Sequence, residues 1–360
     1  VSEKSRTGKS TKQKSTRSRS TASAEDKRQY YERMVLIRTF EMRAQEMYTR
    51  AKIGGYCHLN LGEEAVVVGL MAALEDRDYL FANYRVHGYA LMRGLDPGEV
   101  MAELFGRKDG VSGGWGGSMH LFDSEARLMG GYGIVGGQMP PATGAALALT
   151  YDQKPGKDAE AVMCLLGDGT AAIGSFHESL NIAGLWDLPI VYVIINNRIG
   201  MGTDVEHSSA EPELYRKAEA YRLPSKRVDG SDPVVVRDAA LEALRSAREE
   251  SRPYVLETMT YRLKGHSVVD PAQYRSDEDK EEVRANDPVP AYRDKLVKGR
   301  VLTKKRAEEI DDEAEKRIDE AVEFADDSQS PEPERLFDNA YSTEVNNAPS
   351  GFPGDPVVSI

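Results

Sequence analysis

Residues 167–197 read GDGTAAIGSFHESLNIAGLWDLPIVYVIINN, and this stretch decides the fold. Just ahead of it, Ala161 to Leu166 is a short, wholly apolar run that predicts a buried strand. Thr170 to Gly184 predicts a helix. Leu188 to Ile195, rich in β-branched residues and flanked by Pro189 and Asn196, predicts a second buried strand. Strand, helix and strand form a βαβ unit, which makes the two strands parallel. Asp168 and Asn197 therefore finish neighbouring strands at one carboxyl edge, where open α/β sheets bind ligands. Gly167-Asp168-Gly169 leaves a strand and enters a helix, setting backbone N–H groups and the positive end of a helix dipole where an anion can sit. A carboxylate (Asp168), an amide oxygen (Asn197) and a backbone carbonyl such as that of Ile199 are hard oxygen donors, for which magnesium is the natural ion. Asp168 alone would read as a helix N-cap; its pairing with Asn197 on adjacent strands argues for a ligand.

Working outward, helical and strand patterns alternate from Asp26, the signature of an α/β fold with a parallel sheet flanked by helices. Glu63 to Leu74 predicts a helix, and Asp78 to Ala82 a strand running into Asn83-Tyr84-Arg85. Glycine crowds residues 110–137, which read as one long functional loop. Asp232 to Glu249 predicts a helix and Pro253 to Tyr261 the strand after it. Thr303 to Ala325 sets Ile310, Ala314, Ile318, Ala321 and Ala325 at helical spacing, an apolar stripe that has to dock. The expected organisation is a disordered basic tail over 1–24, an α/β domain over 25–300, a C-terminal helix over 301–330 and an irregular, proline-rich arm over 331–360.

Composition narrows the class. The 360 residues include 47 Lys or Arg and 59 Asp or Glu, a net charge of −12. The first 24 hold seven basic residues and one acidic, so the remainder carries −18. Such a body repels phosphate backbones, and nucleic-acid binding is not expected. No apolar run approaches the roughly 18 residues of a membrane span, so no membrane partner is expected either. Cys57 and Cys164 stand far apart, without metal-ligand spacing, which fits a reducing compartment. The opening segment has no apolar h-region, so no secretory signal is read. It is Arg/Ser-rich like an organellar transit peptide but lacks an apolar helical face.

Gly-Asp-Gly followed about thirty residues later by Asn-Asn resembles the thiamine diphosphate and magnesium motif. With GGYCHLNLGEEA, NYRVHGYALMRG, GGWGGSMHLFD, GIVGGQMP, NNRIGMGT and YRLKGHSVVDPAQYRS in order, the chain from about Asp26 to Phe337 resembles one branch of that group. This branch is the alpha subunits of the decarboxylating component of 2-oxo acid dehydrogenase complexes, pyruvate type. The resemblance implies the thiamine diphosphate-binding fold, thiamine diphosphate and Mg2+ as cofactors, and oxidative decarboxylation with acyl transfer to a lipoyl arm. It implies Asp168, Asn197 and the Ile199 carbonyl as magnesium ligands, with Gly169 and Thr170 at the diphosphate. Tyr84 and Arg85 would meet the diphosphate from the other side, and Gly133 and Val135 would lie along the cofactor rings. His58 and His266 would face the 2-oxo acid and the lipoyl group, while His87 and His120 sit in family motifs without an assigned role. The activating glutamate belongs to a partner beta subunit, in an alpha2beta2 heterotetramer docked on a lipoyl-bearing acyltransferase core. Localisation would be cytoplasmic in a prokaryote, or the mitochondrial matrix.

Departures and alternatives stand beside this. Ile199 replaces an expected tyrosine, and Asp204 a serine that is modified in some relatives. The loop Gly265 to Pro271 reads as a charge-sensitive gate around Ser267; the plain alternative is an exposed turn. Branched-chain 2-oxo acids or acetoin are other possible substrates. Gly131-Tyr-Gly133-Ile-Val-Gly136 also fits a dinucleotide fingerprint, but no preceding apolar strand is read and Pro140 and Pro141 follow. A non-catalytic scaffold subunit would be expected to lose the metal ligands, and Asp168 and Asn197 are present.

Overall fold

The computed structural model describes residues 22–337. The expected basic tail lies outside them except for its last three residues, and the proline-rich arm lies outside them beyond Phe337. In chain order the elements are α1 (Ala24–Thr49), α2 (Glu64–Met71), β1 (Tyr79–Asn83), α3 (His87–Met92), α4 (Pro97–Leu104) and β2 (Leu128–Tyr132). Then come α5 (Met139–Asp152), β3 (Val162–Gly167), α6 (Gly174–Trp186), β4 (Ile190–Asn196), the short pair β5 (Ile199–Gly200) and β6 (Thr203–Asp204), and α7 (Val205–Ser208). β7 (Ser225–Asp229), α8 (Pro233–Glu250), β8 (Tyr254–Met259), α9 (Asp277–Ala285), α10 (Pro288–Lys298) and α11 (Lys304–Asp327) complete the fold.

Six strands form one sheet in the order β2-β1-β3-β4-β8-β7, every pair parallel. The period-two geometry of the strands divides their side chains between two cores. Cys164, Leu166, Tyr192 and Ile194 face α5 and α6. Met163, Leu165, Val191 and Val193 face the larger core shared with α1, α2, α8 and α11. With both faces covered, β3 and β4 are apolar throughout, which is why they read as continuous hydrophobic runs.

The topology fixes where a ligand can bind. From β1 the chain crosses to β2 on one side, whereas from β3 it crosses to β4 on the other. The neighbours β1 and β3 therefore send their continuations apart. Their carboxyl ends, Asn83-Tyr84-Arg85 and Gly167-Asp168-Gly169, flank the crevice that this switch leaves open.

Several expectations need correction. The loop expected over 110–137 contains β2 at the sheet edge and a one-turn 3-10 helix at Gly117–Met119. The edge strand is glycine-rich because a Cβ on Gly131 would stand 2.4 Å from the carbonyl oxygen of Met119. Finding β2 also removes the objection that no strand precedes Gly131-Tyr-Gly133, since α5 then follows with prolines in its first turn. The helix expected from Thr170 begins only at Gly174, after a 3-10 turn over Asp168–Ala172. Ile173, in extended conformation, separates the two. At the start of the chain, α1 begins at Ala24, inside the expected tail. Ser23 caps it by accepting from the Asp26 N–H at 3.0 Å while its own N–H donates to the Asp26 carboxylate at 2.8 Å. The helix expected over 301–330 runs Lys304–Asp327, and Pro333–Phe337 forms a further 3-10 turn inside the arm.

Candidate functional site

A cavity of about 750 Å³ opens at the switch point. His58, Tyr84, Arg85, Gly133, Val135, Asp168, Gly169, Thr170, Asn197, Ile199, His266 and Ser267 all line it, so every site residue expected from the sequence meets at one place. They come from six separate segments, which the sheet edge brings together.

Asp168 follows β3 and is buried. Loss of hydration is the main cause that drives its carboxyl up to about 6, reinforced by Glu63 and opposed by Arg262 and Arg85. Asn197 follows β4. Its Nδ2 donates to Glu63 Oε1 at 3.1 Å, which leaves its buried Oδ1 without a hydrogen-bond partner. The Ile199 carbonyl accepts from Arg262 Nη1 at 3.0 Å, engaging one of its two lone pairs.

Arg85 is buried beside the cavity. Its guanidinium donates to the carbonyls of Leu59 at 2.8 Å and His266 at 2.5 Å, and its Nε lies 4.0 Å from Glu63 Oε1. One arginine thus ties the His58 segment to the His266 segment. The rings of His58, Tyr84 and His266 cluster, with centroids 4.4 Å apart for His58 and Tyr84 and 5.0 Å for the two histidines. Burial, then the charge of Arg85, pushes the His58 imidazole down to about 3; burial, Arg85 and Arg262 take His266 down to about 4. Both rings are therefore neutral at physiological pH, and the Nδ1 of each is buried without a partner.

Two charged residues escaped the sequence reading. Glu63 sits in the quoted GEEA segment and reads there as an ordinary acid before an apolar helix, yet it is buried against Asn197. Arg262 is buried and donates to the carbonyls of Ile199 and Met201 and to the Tyr274 hydroxyl. A lone arginine after a strand gives no sequence signal of such a position. The remaining histidines lie elsewhere: His87 is buried between Glu41 and Ser118, His120 bonds the Gly131 carbonyl, His177 bonds Tyr221, and His207 is exposed. In the loop around Ser267, Ser267 itself is buried while Val269 is exposed. The Val268 N–H donates to the Cys57 carbonyl at 3.0 Å, and Asp270 accepts from the backbone N–H groups of His266 and Ala272. Both cysteines are buried and free.

The glycine-rich wall is held by one side chain. Glu103, fully buried on α4, accepts from the N–H groups of Ser112 and Gly114 through Oε2 and of Gly116 and Gly117 through Oε1, at 2.7–3.0 Å. That fixes the segment leading to Met119, which shares the cavity wall with Gly133.

The switch-point cavity of this α/β sheet carries a buried carboxylate, an amide oxygen without a partner among the described residues and a fixed arginine, groups whose chemistry suits an anionic ligand held with a hard cation. The pattern of the dehydrogenase E1 component family matches residues 32–334, and the chain belongs to that family. It is 40% identical over 316 residues to the pyruvate dehydrogenase E1 component subunit alpha of Rhizobium meliloti, covering 88% of this chain and 90% of that one. To the same-named subunit of Zymomonas mobilis it is 40% identical over 317 residues, 88% of each chain. To the human somatic mitochondrial form it is 40% identical over 322 residues, 89% of this chain and 80% of that one. Family membership implies thiamine diphosphate as the cofactor and takes the glycines at 131–136 out of the dinucleotide reading. No helix among the described residues is long and apolar enough to cross a membrane.

Proposed function

We propose that this chain is the alpha subunit of a pyruvate dehydrogenase. It holds the diphosphate end of thiamine diphosphate through Mg2+, in a site completed by a beta subunit, and serves the decarboxylation of pyruvate with transfer of the acyl group to a lipoyl arm. The observation that carries the reading is the buried, unpartnered Asn197 Oδ1 beside the buried Asp168 carboxylate, at the ends of adjacent parallel strands. An orphaned amide oxygen and a carboxylate raised by dehydration are both relieved by a cation between them. The second lone pair of the Ile199 carbonyl adds a third oxygen donor, so the donor set fits Mg2+ with phosphate oxygens completing its shell.

The other residues take their roles from position. Gly169 and Thr170 offer the backbone and hydroxyl of a tight turn to the diphosphate, and Tyr84 and Arg85 close on it from β1. Gly133 and Val135 form the wall against the cofactor rings. His58 and His266, neutral and each with a free ring nitrogen, hold a proton donor or acceptor toward the 2-oxo acid and the incoming lipoyl group without adding charge. When bound, the cofactor supplies the carbanion and the electron sink that decarboxylation requires. The protein contributes orientation, charge balance and exclusion of water.

Asp168→Ala removes the only carboxylate of the donor set. Calorimetric titration of thiamine diphosphate into the assembled two-chain enzyme is expected to lose its Mg2+-dependent binding in Asp168→Ala, and nearly so in Asn197→Ala. Unchanged affinity in Asp168→Ala would refute the metal assignment.

A further inference from the structure

An amide binds a divalent cation only through its oxygen, yet Asn197 can present either end of its side chain to the cavity. Glu63 decides which. It is 2% exposed and receives two amide groups, Asn197 Nδ2 at 3.1 Å on Oε1 and Asn60 Nδ2 at 3.2 Å on Oε2. A carboxylate accepts and does not donate, so it takes the nitrogen end of Asn197, a residue of the cavity wall, and leaves Oδ1 as the end that nothing among the described residues bonds. Asn60 cannot turn in its place. It is fully buried, its Oδ1 accepts from the Gly88 N–H at 3.1 Å, its Nδ2 also donates to the Arg85 carbonyl at 3.2 Å, and its own backbone N–H is held by Glu41 at 3.0 Å.

We infer that Glu63 is a positioning residue for the metal site: it fixes the Asn197 amide with its oxygen toward the cation, and Asn60 makes a carboxylate necessary at that position. The inference rests on the metal reading above. Its consequence is specific. In Glu63→Gln one acceptor oxygen must serve two donor nitrogens, so one of the two contacts becomes donor against donor. With Asn60 locked on three sides, Asn197 is the group that turns, and its NH2 then faces the cation. Removing the competing donor with Asn60→Leu frees the glutamine oxygen for Asn197 Nδ2 and restores the orientation without restoring the charge.

The test is Mn2+ affinity, read from the EPR signal of free Mn2+ at saturating thiamine diphosphate, in this chain assembled with its beta partner, together with the melting temperature of each variant. Asn197→Ala and Glu63→Gln are each expected to weaken Mn2+ binding about 10- to 100-fold, the usual effect of losing a ligand's orienting partner. Asn60→Leu/Glu63→Gln is expected to recover most of the loss. Unchanged affinity in Asn197→Ala would remove the metal reading itself. A loss in Asn197→Ala without one in Glu63→Gln would overturn the positioning role alone. Equal losses in Glu63→Gln and in the folded double variant would mean that Glu63 acts by charge, and would also overturn it. If the leucine variant does not fold, Asn60→Ala/Glu63→Gln takes its place, because it too removes the competing donor without restoring the charge. Recovery then supports the inference, and no recovery overturns it.

Discussion

At the scale of single residues, the site is a set of charged and polar groups placed where water is scarce. Asp168, Glu63, Arg85 and Arg262 are all buried around one cavity, and His58 and His266 stay neutral because burial and the two arginines disfavour their protonation. This has a pH signature. An imidazole in the unfolded chain titrates near 6.5, whereas these two titrate at about 3 and about 4 in the fold. Between those values the unfolded chain binds protons that the folded chain refuses. Their contribution to stability is therefore complete above about pH 6.5 and is lost progressively as the pH falls, down to about 4 for His266 and about 3 for His58. Ring NMR of histidine-labelled protein should show both imidazoles still neutral at about pH 5.5; midpoints near 6.5 would contradict the placement. That Asp168 and Asn197 meet at one cavity was legible because strand ends and spacing announce it. Glu63 and Arg262 were not, because their partners are far off in sequence and only the assembled sheet edge makes them neighbours.

At the scale of elements, continuous apolar runs made β3 and β4 plain, and the spacing of Ile310, Ala314 and Ile318 made α11 plain, buried as it is against α1 and α4. β2 was hidden because its sequence, LMGGY, carries two glycines that it needs for its own geometry, Gly131 for the close approach of the Met119 carbonyl and Gly130 for a φ of 107°. The glycine-rich segment beside it depends on Glu103. Glu103→Gln puts an NH2 where two part-buried N–H donors now meet an oxygen, at about 1–3 kcal/mol for each unsatisfied group. A scanning melt should fall by several degrees, and an unchanged melt would mean that the glycine segment holds its shape without the carboxylate. The Ser267 loop makes a different prediction. Ser267 is buried next to His266 at the cavity wall, so a carboxylate there meets both dehydration and the substrate's negative charge. A penalty of about 2 kcal/mol is roughly thirtyfold in rate. Ser267→Glu should lose at least that much overall activity at saturating cofactor while Ser267→Ala does not; near-equal rates would exclude a gating role.

At the scale of the whole molecule, the proposed function makes the chain one half of a two-chain site. On that reading its sheet would supply the diphosphate end of the crevice, and hydrophobic side chains near it stand open: Ile134 is 77% exposed, with Val135 and Met201 also uncovered. The α/β class and a crevice at the carboxyl ends of β3 and β4 could be read from the sequence, since both follow from the alternation of elements and the direction of parallel strands. The partner's contribution could not, because it belongs to another chain. Release of labelled carbon dioxide from carboxyl-labelled pyruvate, with thiamine diphosphate, Mg2+ and an artificial two-electron acceptor in place of the lipoyl arm, tests this most directly when measured for this chain alone, for the beta subunit alone and for the two combined. Turnover is expected only in the combination. Turnover by this chain purified free of any partner, or none by the assembled pair, would contradict the account.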